Sequence, residues 1–117
     1  MNDRQSEERE FKETNVDLIM GRFKLSDPAA WDAEMRERGV GARDWDGWLG
    51  VTVVVPEDSP DERVVLALWR ERRCYEAWVA SEDYKESARS MARYQASPPV
   101  TRWHRVVISL GLEGGAA

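Results

Sequence analysis

Cysteine is nearly missing from this sequence: Cys74 stands alone. No disulfide can form within the chain, which excludes the small stapled scaffolds of secreted proteins, and a lone thiol fits a reducing, cytoplasmic setting. Long apolar runs are missing too. No stretch approaches the roughly 20 apolar residues that span a bilayer. The N-terminal residues are polar throughout, which predicts no signal peptide. Positive charge is in short supply, with 17 Lys and Arg against 22 Asp and Glu and a net charge of -5. Nucleic acid and anionic membranes both need a basic surface, so neither is expected as a partner. Paired CxxC cysteines, HExxH, GxGxxG, a Walker loop and GxSxG are all absent. Zinc, dinucleotide, nucleotide and esterase chemistries therefore lack a motif to rest on.

Tryptophan, by contrast, is abundant. Six occur among 117 residues: Trp31, Trp45, Trp48, Trp69, Trp78 and Trp103. Each brings a large apolar area and one N–H that seeks a partner when buried. Two readings follow, a bulky core with a subunit interface, or a pocket for a flat aromatic ligand lined by some of these rings. A chain of this length makes one ordinary domain, small enough for self-association to matter to its stability.

Residues 1–14 read as a charged leader expected to fray, residues 15–111 as the folded domain and residues 112–117 as a flexible tail. Residues 16–25 are mostly apolar and rich in branched side chains, the pattern of a first strand. Ser26-Asp27-Pro28 then opens a helix, with Asp27 placed to cap free N–H groups and Pro28 at the first helical position. That helix is expected to run to about Arg38 and stop at Gly39, with Trp31 and Met35 on one face. A loop over residues 39–47 leads to a strand over 48–55. Two prolines within residues 56–61 force a turn, and residues 63–69 form the next strand of an antiparallel hairpin. From Glu71 the period becomes helical, with Tyr75, Trp78 and Val79 on one face. Ser81-Glu82-Asp83 marks a break and a fresh cap. A second helical piece carries Tyr84, Ala88 and Met91 on one side, Ser97-Pro98-Pro99 ends it, and residues 101–110 make the last strand. The charge runs Asp61-Glu62-Arg63 and Glu71-Arg72-Arg73 read as solvated turns, and Cys74 as a small packed side chain.

The order strand-helix-strand-strand-helix-strand is the split βαβ, ferredoxin-like arrangement of an α+β domain. Helices cover one sheet face. Yet Val64, Leu66 and Leu68 point one way while Val65, Ala67 and Trp69 point the other, so both faces are apolar. A bare apolar face needs a cover. Pairing two such faces in an isologous homodimer, a closed dimeric α/β barrel, supplies it.

The run Val65-Leu66-Ala67-Leu68-Trp69, a short charged turn, then Tyr75, Ala77-Trp78 and Ser81-Glu82-Asp83-Tyr84-Lys85 resembles the hallmark of the antibiotic biosynthesis monooxygenase (ABM) superfamily. Ser97-Pro98 before the last strand is similar as well. The resemblance implies a dimeric α/β barrel and, in some members, oxidation of aromatic polyketides without a cofactor. Ala77-Trp78 and Ser81-x-x-Tyr84-Lys85 look most like the Isd-type heme-degrading members. In that pattern Trp78 matches the family's Trp, while its His ligand falls on Ala88 and its Asn near Gly21. Alanine cannot ligate iron, so the usual way of holding heme does not carry over.

The cofactor-free subgroup implies an aromatic-lined, dry pocket, a base, and donors for an oxyanion. His104, the only histidine, could titrate near neutrality as that base. With Arg22 and Tyr84 it forms the expected catalytic set, and Trp69, Trp78, Trp48 and Phe23 the expected walls for a small aromatic ligand. Each also has a structural reading: Trp69 and Trp78 as core, Tyr84 as helix packing, Arg22 in a salt bridge, His104 as a surface residue. The leading expectation is a cofactor-free monooxygenase of an aromatic or polycyclic metabolite. A heme- or small-ligand-binding dimer without turnover, and a structural or regulatory dimer, stay open beside it.

Overall fold

The computed structural model describes residues 16–110. Four strands and three helices alternate along the chain: β1 (Asp17–Lys24), α1 (Pro28–Ala42), β2 (Trp48–Val54), β3 (Glu62–Trp69), α2 (Arg72–Val79), α3 (Glu82–Ala92) and β4 (Val100–Arg105). The strands form one antiparallel sheet in the order β2-β3-β1-β4. This is the α+β, ferredoxin-like fold that the element order predicts. The expected leader (residues 1–14) and tail (residues 112–117) lie outside the described residues. Among those residues no helix is long and apolar enough to cross a membrane.

Register fixes which side chains share a face. Ile19 pairs with Ala67 and Trp103, Gly21 with Val65 and Thr101, and Val51 with Ala67. These residues face the helices. Their neighbours Leu18, Met20, Leu66, Leu68 and Val64 lie on the other face, as period-two alternation requires. One irregularity changes the pattern. The register shifts between Trp48 and Gly50, so Trp48 joins Val51 on the helix side while Leu49 stays 48% exposed.

The helices begin as the sequence leads one to expect. The Asp27 carboxylate accepts from the Ala30 N–H at 3.2 Å with Pro28 in the first turn, and the Ser81 hydroxyl accepts from the Tyr84 N–H at 3.1 Å. The α2 start is capped from outside the helix, where Asp17 of β1 accepts from the Arg72 N–H at 3.0 Å. Other boundaries differ from expectation. Helix α1 passes through Gly39 and Gly41 to Ala42, because Ala42 is buried in the core and that packing outweighs the helical cost of glycine. The true turn glycine is Gly47, at φ 85°. Strand β4 ends at Arg105 rather than at residue 110. After the Val106 N–H bonds the Val16 carbonyl at 3.0 Å, residues 107–110 find no ladder partner among the described residues.

The run Asp61-Glu62-Arg63 is also not the solvated turn it resembles. Glu62 and Arg63 are buried in β3. Arg63 forks onto Asp32 of α1 at 2.9 and 3.0 Å and donates to the Pro60 and Glu62 carbonyls, clamping helix to sheet. Glu62 accepts from Arg22 at 2.6 Å on the opposite face.

The core has two parts. One gathers Ile19, Ala42, Trp69, Cys74 and Trp78 around α2; the other gathers Leu25, Trp31, Met35 and Met91 where α1 and α3 cross the far end of the sheet.

Candidate active site

Between the two parts of the core the helices do not close on the sheet. The positions that meet there carry little bulk: Gly21 and Ala67 from the sheet, Gly39 and Ala42 from α1, and Ala88 and Ala92 from α3. They leave a cavity of about 320 Å³, within the range of sites that enclose small organic ligands. Its walls are aromatic, formed by Trp48, Trp69, Trp78, Tyr75, Tyr84 and Phe23. The rings are braced edge to face: Trp78 stands 5.6 Å from Tyr84 and 5.3 Å from Trp45, and Trp69 stands 5.8 Å from Tyr75. A larger, more open groove of about 600 Å³ runs outside, between α1 and β2, lined by Val53, Val55, Arg36 and Arg43. Trp48 lines both, but the outer groove lacks the aromatic enclosure, and the inner cavity is the better site.

Few polar groups reach the cavity. Arg38 is the one charged residue among its lining residues, beside the Tyr75 and Tyr84 phenols, Thr101 and Gln95. Gln95 is already engaged, accepting from the Trp31 indole at 3.2 Å. Arg38 leans over the Tyr84 ring, 4.7 Å from its centre, and its Nε donates to Ser87 at 2.9 Å. Burial pulls the Arg38 pKa down, against the favourable pull of the Tyr84 and Tyr75 phenols. Burial, with the Tyr84 phenol adding to it, pushes Tyr75 up to about 12. The same burial keeps the Tyr75 phenol protonated at neutral pH, and no carboxylate or imidazole lines the cavity to act as a base.

The expected site residues divide between the two faces of the sheet. Trp69, Trp78, Trp48, Phe23 and Tyr84 come together around the cavity. Arg22 and His104 do not join them. Arg22 follows Gly21 and His104 follows Trp103, so alternation sends both to the other face, where each is exposed. There His104 sits opposite Leu18, and Arg22 bonds Glu62. Arg38 and Tyr75 were not among the expected site residues. Spacing held the signal: Arg38 lies on the Trp31–Met35 stripe three residues past Met35, and Tyr75 shares a face with Trp78.

A family model for antibiotic biosynthesis monooxygenase matches residues 27–90, from the cap of α1 into α3. The chain belongs to the ABM family. Solved structures agree in fold. SnoaB, a cofactor-independent oxygenase from Streptomyces nogalater, superposes with a TM-score of 0.75 at 13% identity, over 82% of this chain and 97% of that one. Rv0793 from Mycobacterium tuberculosis gives 0.69 at 16% identity, over 82% and 99%. A conserved protein from Methanosarcina mazei gives 0.73 at 11% identity, over 82% and 97%. The comparison with curated proteins finds no match.

Heme, which the Isd-type members act on, is poorly served by this ABM cavity. Ala88, where that pattern has His, and Gly21, near which it has Asn, both line it, and neither offers a ligand atom. The Cβ of any residue at 21 would lie 2.9 Å from the Phe23 ring, so a longer side chain there would have to displace it. The lining phenol Tyr75 resists the ionisation that iron ligation needs. The lining residues thus do not fit histidine-ligated heme.

Proposed function

We propose that this ABM protein is a cofactor-free monooxygenase that oxidises a flat aromatic or polycyclic metabolite held in the cavity between the helices and the sheet. The observation that carries this reading is the cavity itself, walled by Trp48, Trp69, Trp78 and Phe23, with Arg38 as its one charged lining residue. The chemistry asks little more of the protein. A phenol or enol bound as its anion places negative charge on a ring carbon, and that carbon passes an electron to dioxygen. Recombination forms a carbon–oxygen bond and a hydroperoxide. Loss of water then leaves a ketone, with one oxygen atom in the product and the other in water. The walls exclude bulk water, and the Tyr75 phenol, kept protonated by burial, donates to the oxygen that carries charge. No carboxylate or imidazole lines the cavity, so the substrate must be acidic enough to give its proton to water.

That same lack supports a second reading, a dimer that binds its aromatic ligand without turning it over. Oxygen uptake separates the two. Purified protein with a panel of hydroxylated polycyclic aromatics, free of added metal or flavin, is expected to consume one dioxygen per quinone-type product for at least one member. Binding without oxygen consumption across the panel selects the second reading.

We also propose that the protein works as a homodimer. The open sheet face presents Leu18, Met20, Leu66 and Leu68 in register, and the exposed Val107, Ile108 and Leu110 extend beyond β4. A second copy is the partner whose surface matches by symmetry. The single cysteine supports a cytoplasmic location.

A further inference from the structure

Two cationic groups are buried or half-buried among the described residues, Arg63 and Arg38, and they differ in one respect. Arg63 spends its donors on Asp32 and on two backbone carbonyls. Arg38 has no such partner. Its Nε is held by Ser87, but its terminal amino groups donate to no acceptor among the described residues, and no carboxylate there comes within 4.0 Å of it. Glu34, Glu37, Asp83 and Glu86 line a groove on its solvent side without reaching it. Water screens that side. On the other side the guanidinium edges an apolar, aromatic cavity in which it is the only charge. A partly desolvated cation without a counter-ion is costly, and a ligand anion would relieve that cost where the dielectric is lowest.

We infer that Arg38 is the specificity-determining residue of the cavity, selecting flat aromatic ligands that carry an ionised oxygen, carboxylate or phenolate, and holding that oxygen where α1 meets α3. The geometry is arranged for it. Ser87 anchors one edge of the guanidinium, and the Tyr84 ring lies beneath its plane at 4.7 Å. The free edge presents its amino groups as a fork, the shape that suits two oxygens or one oxygen with two donors. The inference rests on the cavity being an aromatic site and adds what it selects. It also accounts for the missing base: a ligand captured as its anion needs none.

The test is calorimetric binding to the full chain, using 2-naphthoate and its neutral counterpart 2-naphthamide. Naphthoate is expected to bind at least about tenfold more tightly, the effect of a charge-assisted hydrogen bond. Arg38→Gln is expected to bring the two within about twofold, chiefly by weakening naphthoate, and a native far-UV circular dichroism spectrum shows that the variant is folded. A third probe, 2-naphthol, separates the sources of charge. Affinity that climbs as the naphthol ionises assigns the site to phenolates, and a flat profile assigns it to carboxylates. Equal affinities for naphthoate and naphthamide in the unaltered protein would overturn the inference while leaving the aromatic site intact, as would a preference that survives Arg38→Gln. Failure of every naphthyl probe to bind would overturn both.

Discussion

Tyr75 stands where burial acts on a single hydroxyl. Its folded-state pKa, about 12, lies above the ordinary phenol value of 10.0, so folding favours the protonated form. The stability that this contributes is present in full below the ordinary value and is lost as pH rises through the folded one, because the unfolded chain releases its proton first. Urea unfolding of the native protein is therefore expected to weaken between pH about 10 and about 12 more steeply than that of Tyr75→Phe. Matching slopes would show that Tyr75 ionises as freely in the fold as out of it. Single residues were also the hardest scale to read in the sequence. Trp48, Trp69, Trp78, Phe23 and Tyr84 were legible as a set because large rings on a regular stripe have few places to go. Arg38 was not, because an arginine near a helix end is usually solvated, and only the crossing of α1 with α3 shows which side it faces. His104 and Arg22 carry suitable chemistry, but the one-residue alternation of a strand decides their side.

Glycine separates the elements into those that tolerate change and those that do not. Gly41 lies exposed in α1, and a Cβ there would meet nothing within 4 Å. Gly41→Ala is expected to stabilise the protein by about 0.5–1 kcal/mol through helix propensity and a less flexible unfolded chain. Gly47 is the opposite case. Its φ of 85° belongs to glycine, and a Cβ would lie 2.5 Å from the Cys74 sulfur and 2.6 Å from its Cβ. Gly47→Ala is expected to cost about 2 kcal/mol or more. Chemical denaturation of both variants checks the pair, and a loss in the first or a gain in the second would contradict this account of the turn. Elements were the most legible scale, since caps, prolines and period changes are local signals. Two of the misplaced ends had non-local causes, while α3 stops at Ala92, five residues before the Ser97-Pro98-Pro99 stop. Helix α1 continues past its glycines because Ala42 finds a place in the core, and β4 stops where its pairing with β1 stops.

At the scale of the whole molecule the sheet separates two apolar jobs. One face, under the helices, encloses the cavity; the other, bearing Leu18, Met20, Leu66 and Leu68, is assigned here to a second copy. Leu66→Asp, which puts a charge at the middle of that open face, is expected to convert the dimer to monomer in analytical ultracentrifugation at micromolar concentration. An unaltered protein that sediments as a monomer would remove the dimer altogether. This division of labour was only half legible. The doubled apolar pattern of β3 calls for a cover on both faces, but which of them carries the cavity depends on where small residues such as Gly39 and Ala88 meet, and that is a property of the packed fold. The most direct test of the account is oxygen uptake on an oxidised aromatic substrate by Ala88→Phe and His104→Ala side by side. A phenyl ring at 88 fills the cavity, whereas His104 lies across the sheet from it. At least a tenfold loss, about 1.4 kcal/mol in the barrier, is expected for Ala88→Phe, and near-native rates for His104→Ala. Activity that survives the filled cavity but vanishes with the histidine would place the reaction on the open face and contradict it.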